Sequence, residues 1–207
     1  MIAYLANIMK QVLDFLFVYT KSYGISIILL TIFIKVILLP LTFKQMQSMK
    51  KMQEIAPLQK KLQEKYKNDK EKLNKEIMEL YRKNNVNPAA GCLPLLIQFP
   101  FLIALFRLLQ QYDFGEAGFL WISNLGAPDT TYILPILAGL TTYISSKMAS
   151  PDSSQQTMTI FMSVFIAWMS TRFASGLALY WVVSNIFQLL QQIFVTRPFP
   201  RTKEESS

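Results

Sequence analysis

The 207-residue chain has no histidine, a single cysteine and only 13 acidic residues. Each shortage removes a class of chemistry. Without histidine there is no side chain that ordinarily titrates near neutrality and the commonest metal ligand is missing. The lone Cys92 can form neither an intramolecular disulfide nor a cysteine-based metal cluster. Charged residues make up 16% of the chain, against about a quarter in soluble domains. Apolar residues take their place, at 52% of the total. That balance predicts a membrane protein.

Long apolar runs occupy residues 24–43, 92–111, 131–148, 157–172 and 176–195. A bilayer core takes roughly 20 residues of helix, so five transmembrane helices are expected. The run over 157–172 is short, roughly 24 Å of helix against a hydrocarbon core of about 30 Å. Residues 1–23 are also apolar but are interrupted by Asn7, Lys10, Gln11 and Asp14, which suits an amphipathic helix lying in the interface. They lack the basic start and small-residue cleavage site of a secretory signal.

Charge is uneven along the chain. Residues 44–83 hold twelve Lys or Arg against six acids, whereas 112–130 hold Asp113, Glu116 and Asp129 with no basic residue. By the positive-inside rule the segment 44–84 is cytoplasmic, the N-terminus lies outside, and the tail 196–207 lies inside. Arg107 and Arg172 fall on the outer side, at helix ends where long side chains can snorkel. Within 44–84, Met49, Met52, Ile55, Leu58, Leu62 and Tyr66 recur every three or four residues, and Leu73, Ile77, Leu80 and Tyr81 do so after "KNDK". This periodicity predicts a cytoplasmic helical hairpin. Pro57 is expected to kink or re-start its first helix, and Pro94 and Pro100 to bend the helix over 92–111. The basic residues suit a solvated face that touches anionic headgroups. No aromatic platform or groove-reading helix accompanies them, so specific nucleic-acid recognition is not expected.

One cation stands apart. Lys35 sits in "TIFIKVILLP", inside an apolar helix and roughly 12 Å from its cytoplasmic end. A lysine at a helix centre costs about 2.5 to 3.5 kcal/mol on insertion scales, which marks functional positions. Thr31 and Thr42 share its helix face, and no acid lies in any other span, since Asp113, Asp129 and Asp152 fall in loops. The other helices offer Gln98, Thr141, Thr142, Ser145, Ser146, Ser163, Ser170, Tyr180, Ser184, Asn185 and Gln188. Taken singly, each is more often an interhelical hydrogen bond than a site. Together with an unpaired cation they point to a hydrated cavity that attracts acidic segments. A lysine that simply reaches cytoplasmic water is the plain alternative, and a small-solute or ion pathway is the other functional class. Five spans do not divide into two equal repeats, and a proton relay usually wants Asp, Glu or His. A membrane scaffold with no transport role stands third.

The ordered stretches "VNPAAGCLPLLIQFPFLIALF", "YILPILAGLTTYISSKM" and "SGLALYWVVSNIFQLLQQ" resemble the YidC/Oxa/Alb family of membrane protein insertases, over about residues 24–195. The resemblance implies an all-α membrane protein with five transmembrane helices enclosing a hydrophilic groove, open to cytoplasm and lipid and closed outside, plus a cytoplasmic hairpin. It implies nascent membrane proteins as partners, received alone or with the Sec translocon, in a bacterial cytoplasmic membrane, and neither a cofactor nor enzymatic chemistry. The groove cation, usually Arg in the family, falls on Lys35, and Thr31 matches a groove threonine. Trp181 stands where some relatives have a second tyrosine after Tyr180, and Ser146 stands where many have Gln. The groove set is therefore Lys35, Thr31, Gln98, Ser146, Tyr180, Trp181 and Ser184, and the substrate-recruiting face of the hairpin is Met49, Met52, Leu62, Leu73 and Ile77. The tail, with Arg197, Arg201 and Lys203 as its basic residues, is too weakly charged for strong ribosome docking, to which the hairpin could contribute.

Overall fold

In a computed structural model the described residues, 2–86, 93–112, 114–115, 117–149 and 156–196, form seven α-helices. These are α1 (Ile2–Thr20), α2 (Tyr23–Lys65), α3 (Lys70–Lys83), α4 (Leu93–Gln111), α5 (Ile133–Ala149), α6 (Gln156–Ser170) and α7 (Ser175–Thr196). Residues 87–92 and the tail from 197 lie outside the described residues, as do Asp113, Glu116 and Asp152. Four of the apolar runs correspond to α4, α5, α6 and α7, and the first fills the N-terminal half of α2. By length and composition α1, α2 and α7 can cross a membrane, while α6 and the Gln98–Leu109 stretch of α4 are apolar but shorter.

α1 and α2 are joined by a two-residue reversal. Lys21 takes a left-handed conformation (φ 52°) and donates its N–H to Phe17 O at 2.9 Å. Such a residue ends a helix by satisfying one of its orphan carbonyls. Thr20 and Ser26 hydroxyls meet across the turn at 2.8 Å.

The expected re-start at Pro57 is not observed: α2 runs for 43 residues with Pro40 and Pro57 inside it. The boundary at 43/44 is therefore not a helix end, and the hairpin grows directly out of the apolar half of α2. Pro57 is exposed, so water can take up the carbonyl that its missing N–H leaves free. α4 likewise continues through Pro100. The return helix α3 starts at Asp69, whose carboxylate accepts the Lys72 N–H at 3.0 Å as an N-cap. Tyr81 donates to Gln59 across the hairpin at 3.3 Å.

The core joins Leu13 of α1, Ile27 and Leu30 of α2, Leu105 of α4, Leu134 of α5, and Tyr180 of α7. Outside it lies a belt of exposed apolar side chains, among them Phe33 and Ile37 on α2, Ile136 on α5, Phe161 and Val164 on α6, and Phe194 on α7. Contiguous exposed apolar surface on several helices needs an apolar surround, as a bilayer supplies.

The α4–α5 connection packs down onto one end of the bundle. Leu125 and Ile122 are buried, and Leu125 and Ala127 carbonyls accept the Gly176 and Ser175 N–H groups of α7 at 2.9 and 2.8 Å. The Phe119 ring rests on Gly24, where a Cβ would stand 2.1 Å from a ring carbon. Asp129, 4% exposed, caps α5 by accepting from Leu134 N at 2.8 Å and from Thr131 Oγ at 2.7 Å. Burial alone would raise its carboxyl, but the hydrogen bonds from the Thr131 hydroxyl and from the Leu134 and Thr131 amides hold it below the usual range.

Candidate functional site

Lys35 lies on the inward face of α2 and is 7% exposed. Its ammonium donates to Gln98 Oε1 on α4 at 3.2 Å, and Gln98 Nε2 donates to the Tyr180 hydroxyl on α7. Ser184, one turn along α7, is buried beside that hydroxyl. Three helices thus meet at one buried cation. Its partner there is a neutral amide, and among the described residues no carboxylate pairs with it; the ion pairs Lys10–Asp14 and Lys83–Glu79 lie elsewhere. A buried cation held by an amide keeps spare donors and an uncompensated charge.

Of the expected groove residues, the structure brings Lys35, Gln98, Tyr180 and Ser184 together. Thr31, one turn from Lys35, is buried, but its hydroxyl bonds its own helix at Ile27 O, 2.7 Å. Trp181 belongs to a neighbouring network: its indole N–H reaches Thr142 Oγ1 at 2.9 Å, and Asn185 approaches the same hydroxyl at 2.9 Å. The Asn185 amide fits best with its oxygen turned toward Trp181 and the Thr141 and Thr142 hydroxyls. Ser146 is half-buried on α5 and is not drawn into the Lys35 chain.

Sequence reading missed a tier of glutamines nearer the hairpin. Gln191 Nε2 donates to Thr42 Oγ1 at 3.1 Å, Gln192 is buried and faces Ser145 O at 3.5 Å, and Gln45 is 4% exposed with its Nε2 unpartnered among the described residues. The available signal was their spacing: Gln188, Gln191 and Gln192 put amides on one face of α7 at three- and four-residue intervals. With Ser145 and Thr42 they extend the polar interior from Lys35 toward the basic end of the bundle.

Beside this polar seam, α4, α6 and α7 enclose an apolar cleft of about 200 Å³ lined by Leu102, Phe106, Ile166, Met169, Phe173 and Trp181 among others. Cation and cleft share α4 and α7. The hairpin residues Met49, Met52, Leu62, Leu73 and Ile77 are half-buried, and the large apolar side chains that the hairpin exposes are Leu58 and Met78. A Gln53–Met148 bond of 3.3 Å ties its base to α5.

At the opposite end, Asp14 on α1 accepts from the Tyr112 hydroxyl, and Lys10 sits 5.7 Å over the Tyr112 ring. Burial, then the contacts with Asp14 and Tyr23, push the Tyr112 phenol well above its ordinary range. The helix thereby shows three sectors. Met9 and Leu13 pack inward, Asn7, Lys10, Gln11 and Asp14 form a polar stripe, and Tyr4, Phe15, Val18 and Tyr19 are exposed.

Apolar helices packed around a buried, amide-bound ammonium define an all-helical membrane protein with a polar interior. The chain matches the family described as "60Kd inner membrane protein" over residues 15–203. It is 45% identical over 205 residues to "Membrane protein insertase YidC" of Caldanaerobacter subterraneus subsp. tengcongensis, covering 99% of this chain and all of that one. It is 43% identical to the protein of the same name from Fusobacterium nucleatum, covering 94% and 98%. The chain belongs to this family, that of the YidC and Oxa proteins. A crystal structure of an active YidC insertase with its first transmembrane domain resolved superposes with TM-score 0.75 at 28% identity, over 93% of this chain and 46% of that one. The chain thus spans less than half the length of the protein in that crystal structure.

Proposed function

We propose that this protein is a membrane protein insertase of the bacterial inner membrane. The observation that carries the reading is Lys35: a buried ammonium bound by a neutral amide, at a point where α2, α4 and α7 meet. Relatives matched along their whole length bear the insertase name. The apolar half of α2 with α4, α5, α6 and α7 forms five spans, the α2–α3 hairpin lies in the cytoplasm, and the polar interior opens toward it as a groove. The packed α4–α5 connection closes the outer end. α1 lies in the outer interface, its stripe toward water and its aromatic face toward acyl chains. The tail is cytoplasmic and the N-terminus outside.

Insertion proceeds without covalent chemistry, by lowering the barrier to moving a polar segment across the bilayer. A nascent chain first meets the hairpin, where Met78 and Leu58 stand exposed and Met49, Met52, Leu62, Leu73 and Ile77 become available as the hairpin opens; methionine adapts to varied partners. The short, acidic outer segment of the substrate then enters the groove and is held near Lys35. At 15 residues α6 spans roughly 22 Å, so the bilayer thins beside it. Finally the substrate's apolar helix passes along the α4–α6 cleft into lipid, and its burial in hydrocarbon supplies the free energy. Small proteins need this chain alone, and larger ones reach it from a Sec translocon.

The test is reconstitution in liposomes. Protein-containing vesicles should insert a single-span protein with an acidic outer segment, read as protease protection, and should not conduct ions or small solutes. Lys35-dependent flux without insertion would instead make the cavity a conduit.

A further inference from the structure

Among the described residues α4 packs chiefly against one neighbour. α5 packs along both α6 and α7, and α7 along α2, whereas the broad contact of α4 is with α1 and it touches α2 and α7 only briefly. The apolar cleft lies between α4 and α6. Among the described side chains of α4, the polar tie to the rest of the bundle runs through Gln98. Its carbonyl oxygen accepts from Lys35 on α2 at 3.2 Å, and its amide nitrogen donates to Tyr180 on α7. One side chain therefore ties the ammonium of α2 and the phenol of α7 to α4, whose core residues Ala104, Leu105, Leu108 and Leu109 lie further along the helix.

We infer that Gln98 is a positioning residue that couples the arrival of a carboxylate at Lys35 to widening of the α4–α6 cleft. An amide oxygen carries no net charge, so an ammonium gains less from it than from a carboxylate, which adds a full Coulomb attraction. A carboxylate entering the groove takes the donor that Gln98 now holds, and the amide loses its link to α2. α4 then keeps α1, its short contacts and the Gln98–Tyr180 bond to α7 but no polar tie to α2, and the cleft opens on the side where an apolar segment leaves. Capture of the polar end of a substrate thus prepares the exit for its apolar end. The inference rests on the insertase reading above and adds to it a named coupling element.

The experiment uses the full chain in liposomes, with Cys92→Ser and spin labels at the exposed positions Phe99→Cys on α4 and Val164→Cys on α6. In the otherwise wild-type protein, a peptide with an acidic outer segment should lengthen the label distance, and its neutral counterpart should not. Gln98→Leu should show the long distance without peptide. Gln98→Glu places a carboxylate against Lys35, so its distance should no longer respond to the acidic peptide, and the ratio of acidic to neutral substrate inserted should fall at least tenfold. A Gln98 with only a packing role predicts the same loss for both substrates in both variants, which would overturn the coupling. Should Gln98→Leu fail to fold, Lys35→Met breaks the same link from the α2 side and should give the same lengthening without peptide. Wild-type insertion with no distance response overturns the coupling alone, whereas absence of wild-type insertion overturns the insertase reading with it.

Discussion

Replacing Lys35 by arginine, alanine and glutamate changes the charge at the buried site from +1 to 0 to −1 while the helix around it stays apolar. A carboxylate about 4 Å from an ammonium gains about 1 kcal/mol in bulk water and about 4 kcal/mol at an effective dielectric constant near 20. At 7% exposure within a polar interior, Lys35 falls between these limits. Each step of one charge is therefore worth about 1 to 4 kcal/mol, or about fivefold to several hundredfold in occupancy, since 1.4 kcal/mol is a factor of ten. For a substrate with an acidic outer segment, the loss from Lys35→Ala should be followed by a further loss of similar size for Lys35→Glu, because repulsion is added to lost attraction. Arginine should match or exceed lysine, since its planar fork can hold a carboxylate by two bonds. The steps should collapse for a neutral outer segment. The assay is protease-protected insertion into liposomes under single-turnover conditions. Equal insertion by all four proteins, or by alanine and glutamate, would refute the electrostatic reasoning.

Deleting residues 50–83 should reduce insertion severalfold while the rest stays folded by circular dichroism, because the main core contains no residue of the hairpin; a fully active deletion would remove the recruiting role. Gly24→Ala drives a methyl group into the Phe119 ring and should cost about 1 to 3 kcal/mol of stability, read as a lowered Tm in detergent and relieved by Phe119→Ala in the same chain. Asp129→Asn should cost about 1 kcal/mol near neutral pH through the weakened α5 cap. Because the folded carboxyl is held low by its hydrogen bonds, this stability is present above the unfolded value of about 3.9 and is lost as pH falls below it. The Tm gap between wild type and Asp129→Asn should therefore hold steady from pH 7 to about 5 and narrow as the pH falls below about 4, and a gap that widens on acidification would contradict the cap.

The helices were legible because apolar length and charge bias are local properties, and Lys35 was legible because a charge in an apolar run has few bland explanations. Gln98 could be named for the same reason, as an amide in "LPLLIQFPF". Its pairing with both Lys35 and Tyr180 could not, because those contacts depend on how α4 sits against α2 and α7 rather than on spacing within any one helix. Trp181 shows the same limit: neighbouring Tyr180 faces the cation, while the next residue along α7 turns to Thr142. The unbroken α2 was missed because Pro57 was weighed by its missing hydrogen bond. The helical turns on either side of it stabilise the helix, and water can satisfy the exposed carbonyl. The hairpin periodicity marks an apolar face but does not say whether that face is open or covered, and Met49, Met52 and Leu73 are half-buried rather than exposed.

On the proposed path the polar outer segment of a substrate passes beside Lys35. That passage is tested most directly by stalling a single-span substrate during insertion with a photoreactive group in its acidic segment, and mapping the crosslinked residues. Adducts are expected on α2, α4 and α7 around Thr31, Lys35, Gln98 and Ser184, and are expected to be lost in Lys35→Glu. Crosslinks confined to the hairpin and to lipid, unchanged by Lys35→Glu, would contradict that path.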